Sequence, residues 1–164
     1  MDDEGTGTVV VGVDGSPGAR AALEFALQEA DRRGVRLRVV VAARLPEYWA
    51  MASGMVAPPP ESEIVAGARG VAREAVDAVL TARPDLASRV AVSVDAVAGE
   101  PAQVLLDAAD GADVLVVGHR GRGAVRSALL GSVGLHCVLH AACPVTVVRE
   151  TTVAARAAQD VMPD

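Results

Sequence analysis

The sequence predicts an α/β fold in which a five-stranded parallel sheet carries helices on both faces. Two observations lead there. Short apolar runs rich in valine alternate along the chain with helical patterns, five of one and four of the other. The runs Thr8–Val13 and Val114–Val117 are unbroken rather than alternating, which suits strands buried on both faces of a parallel sheet. Right-handed crossovers follow from that architecture.

Each element has its own warrant. Thr8–Val13 reads as the first strand and ends at Asp14-Gly15. Ser16 is a good N-cap and Pro17 suits the first helical position. The helix beyond them sets Ala22, Leu23, Ala26, Leu27 and Ala30 on one stripe and ends at Arg33, with Gly34 placed to close it. Val35–Ala42 is the second strand, and residues 44–60 form a long connection with Tyr48, the single Trp49, Met51, Met55 and three consecutive prolines. Loops of that length are commonly functional or mobile, and a ligand lid is one expectation. The second helix spans Glu61–Ala82, with Ile64, Ala68, Val71, Ala75 and Val79 at helical spacing and Pro84 closing it. Val90, Val92, Val94 and Ala96 then alternate with Arg89, Ala91, Ser93 and Asp95, the pattern of a half-exposed edge strand. Gly99-Glu100-Pro101 starts a third helix with Val104, Leu105 and Ala108 inward. The fourth strand is Val114–Val117. A fourth helix opens at Gly131-Ser132, counts Val133, Val138 and Leu139 among its apolar positions and runs to about Ala141, before a fifth strand over Pro144–Val148. Strand order is not legible from local sequence.

Composition bounds the function. At 164 residues and 16.7 kDa the chain is one domain able to bury a substantial core. We expect a flexible N-terminus over residues 1–7, a folded domain over 8–149 and a tail over 150–164. No apolar run approaches the ~18 residues of a membrane span, and the acidic start MDDEGTG lacks the features of a secretory signal, so a cytoplasmic protein without a membrane partner is expected. A net charge of −6 and a pI near 5.0 argue against nucleic acid as partner. Cys137 and Cys143 form no C-x-x-C pair, and His136 and His140 would need further ligands to hold a metal, so neither a zinc site nor a disulfide framework is expected.

The chemistry concentrates in VLVVGHRGRGAVRSALLGS, residues 114–132. A buried strand stops at Gly118, Gly121 follows, and Gly131-Ser132 open a helix, with Arg120, Arg122 and Arg126 between. Glycines allow a ligand close to the backbone, and a helix N-terminus offers free N–H groups and a positive dipole end. A plain turn with solubilising arginines explains the first two glycines equally well; Gly131-Ser132 at a helix start tips the balance to an anion site. The P-loop motif is excluded because the chain contains no lysine, and G-x-G-x-x-G fails because Arg126 stands at the third glycine.

The spacing Gly118-x2-Gly121-x9-Gly131-Ser132 resembles the nucleotide-binding signature of the universal stress protein family, as do the opening VVVGVDGSPGARAALEFA and the closing HAACPVTVVR. The likeness covers roughly residues 8–149. It implies a Rossmann-like sheet in the order 3-2-1-4-5, with strands 1 and 4 flanking the switch point where ligands bind. It also implies that Gly12, Val13, Asp14 and the backbone of Ala42 hold base and ribose. Val117, Gly118, Arg120, Gly121, Gly131, Ser132 and Val133 would hold the phosphates of ATP, with or without magnesium. A carboxylate at Asp14 repels phosphate, which agrees with that division, although an Asp in an Asp-Gly turn explains it too. His119 and Gly134 depart from the commoner pattern; Gly134 removes one possible phosphate contact. The resemblance further implies a homodimer paired through the fifth strand, residues 144–149. Three readings remain open: an ATP-binding regulatory module, a non-nucleotide interaction dimer, and a slow hydrolase with His119 as the one candidate in the loop that titrates near neutral pH.

Overall fold

The computed structural model describes residues 7–45, 59–121 and 130–150. Five parallel strands, β1 (Thr8–Gly12), β2 (Arg36–Ala43), β3 (Val92–Ala98), β4 (Val114–Gly118) and β5 (Val145–Val148), form one sheet in the order β3-β2-β1-β4-β5. Helices α1 (Pro17–Arg33), α2 (Glu61–Ala82), α3 (Pro84–Ala87), α4 (Pro101–Ala108) and α5 (Ser132–His140) connect them.

Strand periodicity divides the core into two layers. Val9, Val11, Leu37, Val39, Val114 and Val116 face α1 and α2 on one side, and Val10, Val40, Leu115 and Val117 face α4 and α5 on the other. Fully burying a Val or Leu side chain contributes ~1.5–3 kcal/mol, so the three central strands anchor the domain.

The first helix forms as its sequence predicts. Ser16 Oγ accepts from Ala19 N at 3.1 Å, Gly34 closes the helix at φ 66°, and the five stripe residues are all buried. Elsewhere the structure corrects the reading. The second strand starts and ends one residue later than expected. Val13 lies past the end of β1, although its N–H still reaches Val40 O at 2.9 Å. Along α2 the buried residues are Ala72, Val76 and Val79. Of the expected stripe Val79 is buried, Ala68 and Ala75 pack against the core, Ile64 is half-buried, and Val71 alone is exposed, because its neighbour Ala72 takes the inward position. Pro84 does not simply end α2; it starts the one-turn α3, whose Leu86 is buried and delays β3 to Val92. In α5, Val138 and Leu139 are exposed, because Gly134 and Cys137 take the inward positions. β3 is an edge strand, as its alternation indicated.

The connection over 46–58 with Trp49, the arginines at 122 and 126, and the tail beyond Glu150 lie outside the described residues. No described helix is long and apolar enough to cross a membrane.

Candidate functional site

The order β2-β1-β4 brings three C-terminal strand ends together. Gly12–Asp14, Ala42 and Val117–Gly121 therefore share one end of the sheet, at the β1/β4 switch point where folds of this order open a crevice. The start of α5 at Gly131–Val133 joins them because Gly131 N donates to His119 O at 3.0 Å. His119 is pinned on its other side, its N–H bonding Val148 O at 2.7 Å. The loop after β4 is thereby tied to both β5 and α5.

The glycines of the crevice have different causes, and a methyl group imagined at each one separates them. At Gly12 it would sit 2.7 Å from Leu105 Cδ1, so this glycine seats a core leucine. At Gly118 it would lie 2.8 Å from both the carbonyl carbon and oxygen of Gly18, and at Gly18 it would meet Arg120 O at 2.6 Å. These two let the first turn of α1 touch the backbone after β4. At Gly121 it would fall 2.5 Å from Asp14 Oδ2. The buried Gly134 makes room for Leu130, 3.1 Å away.

Gly131 differs from all of them. Its φ of −66° suits any residue, and an added methyl would make only ordinary contacts, the nearest at 3.7 Å to His119 O. Among the described residues, neither backbone strain nor packing requires glycine there. The position faces the backbone of residues 119–121, across which the first turn of α5 presents N–H groups that a helix cannot satisfy itself. Among the described residues no side chain caps that turn. The donors are available to an anion.

Asp14 combines two roles. Its Oδ1 accepts from Ser16 N at 2.9 Å, the turn role its sequence context suggested, while Oδ2 faces Gly121. A negative charge thus stands at the β1 side of the crevice, and the helix N-terminus at the β4 side. Val13 and Val117 are buried, Ala42 and Arg120 are half-buried, and Ser132 is exposed at the first helical position of α5. Every site residue named from the sequence is therefore described and borders the same end of the sheet. Arg122 and Arg126 lie outside the described residues.

Gly18 was missed. Its role could not be read locally, since a glycine at a helix start is commonplace and only the contact with Arg120 O shows why it is needed. His136 and His140 stack at 4.2 Å between ring centroids on the exposed side of α5. Among the described residues no group of three metal-ligating side chains converges. Cys137 is buried, which pushes its thiol pKa up, with nearby Cys143 adding to the effect.

Comparison with known proteins adds an independent line. Residues 5–149 match the model of the Universal stress protein family. Universal stress protein Rv1996 of Mycobacterium tuberculosis is 35% identical over 153 residues, covering 87% of this chain and 48% of the relative. The chain thus spans about half the length of the mycobacterial relatives it matches. A Thermus aquaticus universal stress protein, encoded in the QAH/OAS sulfhydrylase 3′ region, is 36% identical over 145 residues and is covered over 98% of its length. Among solved structures, a universal stress protein in complex with cAMP superposes with a TM-score of 0.55 at 27% identity, covering 88% of this chain and 98% of the other.

Proposed function

The chain belongs to the universal stress protein family, and from that premise we propose that it is an ATP-binding regulatory module of a stress response. Gly131 carries the reading. It is a glycine that no contact among the described residues requires, placed where a side chain would crowd a ligand between the loop after β4 and the N-terminus of α5.

Phosphates would lie against the backbone of Val117, Gly118, Arg120 and Gly121 and the N-terminal turn of α5 at Gly131, Ser132 and Val133. There N–H groups and the helix dipole offset their charge. Magnesium would accompany them and neutralise part of that charge. Base and ribose would lie toward Gly12, Val13, Asp14 and the backbone of Ala42, because the Asp14 carboxylate repels phosphate but accepts hydroxyl and amine donors. The cAMP bound by a 27% identical neighbour supports an adenine nucleotide as ligand class.

A regulatory role is favoured over hydrolysis. A general base needs an orienting partner, and the His119 ring has no hydrogen-bond partner among the described residues. We further propose a cytoplasmic homodimer paired through β5. That strand is the open edge next to β4, and beside it α5 exposes Leu135, Val138 and Leu139 at 48%, 47% and 67%. Edge pairing would satisfy backbone groups that are otherwise a template for aggregation.

The deciding experiment is calorimetric titration with ATP and magnesium. Gly131→Ala is expected to lose at least tenfold in affinity and Gly131→Val all measurable binding. Ser132→Ala removes one hydroxyl donor, worth about 1.5–3 kcal/mol at a charged group, and is expected to cost less than Gly131→Val. Wild-type affinity in Gly131→Ala would refute the assignment.

A further inference from the structure

At the opposite pole of the sheet lies a cavity of about 480 Å³, within the range of small-molecule sites. It borders the first residues of β1, β2 and β3, about 13 Å from the glycine crevice by the rise of four strand residues. It opens at the β3 edge of the α4 side, where Ser93 and Val97 are exposed and no described helix packs.

Register fixes what lines it. Thr8 pairs with Arg36 and Arg38 with Ser93, so two arginines and two hydroxyls share one face of three adjacent strands. Arg38 is matched by charge: its Nε donates to Asp95 Oδ2 at 2.6 Å and its Nη1 to Ala108 O at 3.3 Å. Arg36 is not. Its Nε donates to the Thr8 hydroxyl at 2.9 Å, and among the described residues no carboxylate meets its guanidinium. A guanidinium held through one nitrogen keeps its remaining donors in the planar fork that fits a carboxylate or phosphate. In a chain of net charge −6, Arg36 is thus a cation with no carboxylate partner among the described residues, set in a concave surface. Asp110 on the wall disfavours a highly charged ligand.

We propose that this cavity is a second binding site, separate from the glycine crevice, for a small organic anion. Its carboxylate or phosphate head is held by Arg36 beside Arg38, and its polar body lies against Thr8 and Ser93. The site lies at the N-terminal ends of the strands, so it does not depend on the nucleotide reading.

The test is a heteronuclear NMR titration of the ¹⁵N-labelled chain with sodium acetate and, separately, sodium phosphate, with sodium chloride holding the ionic strength. We expect saturable shifts at the amides of Thr8, Arg36, Arg38 and Ser93 with at least one of the two. Saturation by acetate assigns a carboxylate head, and saturation by phosphate alone a phosphate head. Arg36→Gln is expected to weaken that binding at least fivefold; Arg36 is exposed, so the fold is not at risk. Absence of saturable shifts with both anions, or a smaller change in Arg36→Gln, overturns the proposal. Phosphate acting at the glycine crevice shifts Gly131–Val133 instead, so the two sites are read apart.

Discussion

A methyl group at Gly118 would press on the backbone of Gly18 at 2.8 Å, whereas one at Gly131 would meet nothing nearer than 3.7 Å. Backbone cannot rotate aside as a side-chain tip can, so Gly118→Ala forces α1 away from β4. Overpacking of this kind typically costs ~1–3 kcal/mol, and urea unfolding should show it as a lowered midpoint. Gly131→Ala should stay within ~0.5 kcal/mol of the parent, as substitutions free of packing conflict do. Two glycines of one sequence signature thus separate into one that the packing requires and one that the described packing leaves open. The signature shows the spacing but not this division, because whether a glycine is crowded depends on what other segments bring to it.

Elements are held to one another at a few named points, and these set the response to pH. Arg89, in the turn leading into β3, donates to both carboxylate oxygens of Asp31 near the end of α1, at 2.7 and 3.0 Å. That hydrogen bonding holds the Asp31 pKa below its ordinary value of 3.8. Glu29 is likewise lowered, chiefly by its hydrogen bond to Arg33. A carboxylate with a depressed folded-state pKa contributes stability above its unfolded value and loses it as pH falls through the folded value. Asp31→Asn should therefore lose less stability than the parent as pH falls from about 4, the ordinary aspartate value, down through the lowered folded value, when denaturant midpoints are compared. At the other edge, Leu115 and His119 donate to Pro144 O and Val148 O. The period of two then turns the backbone groups of Val145 and Val147 outward. Val147→Pro removes an outward N–H and spares the pairing with β4. If β5 carries the proposed dimer, sedimentation should find this variant monomeric where the parent is dimeric; a dimeric variant would send the search to another surface.

For the whole molecule, the two poles of the sheet give two independent responses. At about 100 times its dissociation constant ATP should stabilise the parent by ~2.7 kcal/mol, read as a concentration-dependent rise in Tm. The rise should vanish in Gly131→Val and persist in Arg36→Gln, because the first change lies in the glycine crevice and the second at the far ends of the strands. A rise retained in Gly131→Val would mean that ATP binds elsewhere.

Five strands and four of the five helices were legible in the sequence, and the glycine spacing pointed to the end of the sheet where β1 and β4 stop. Ser16, Pro17 and Gly34 bound α1 by local chemistry, and the unbroken valine runs of β1 and β4 announce strands buried on both faces. Motif resemblance supplied the strand order and the site residues. Tertiary structure decided the rest. Which face of α2 and α5 is buried, the single turn at Pro84–Ala87 that shifts β3, and the Gly18–Gly118 contact all arise from where distant segments meet. The Arg36–Arg38 cavity exists only because β1, β2 and β3 align Thr8, two arginines and Ser93 in register. Capping and periodicity act over one or two turns and are written in neighbouring residues. Packing and register join residues tens of positions apart, and no local pattern encodes those distances.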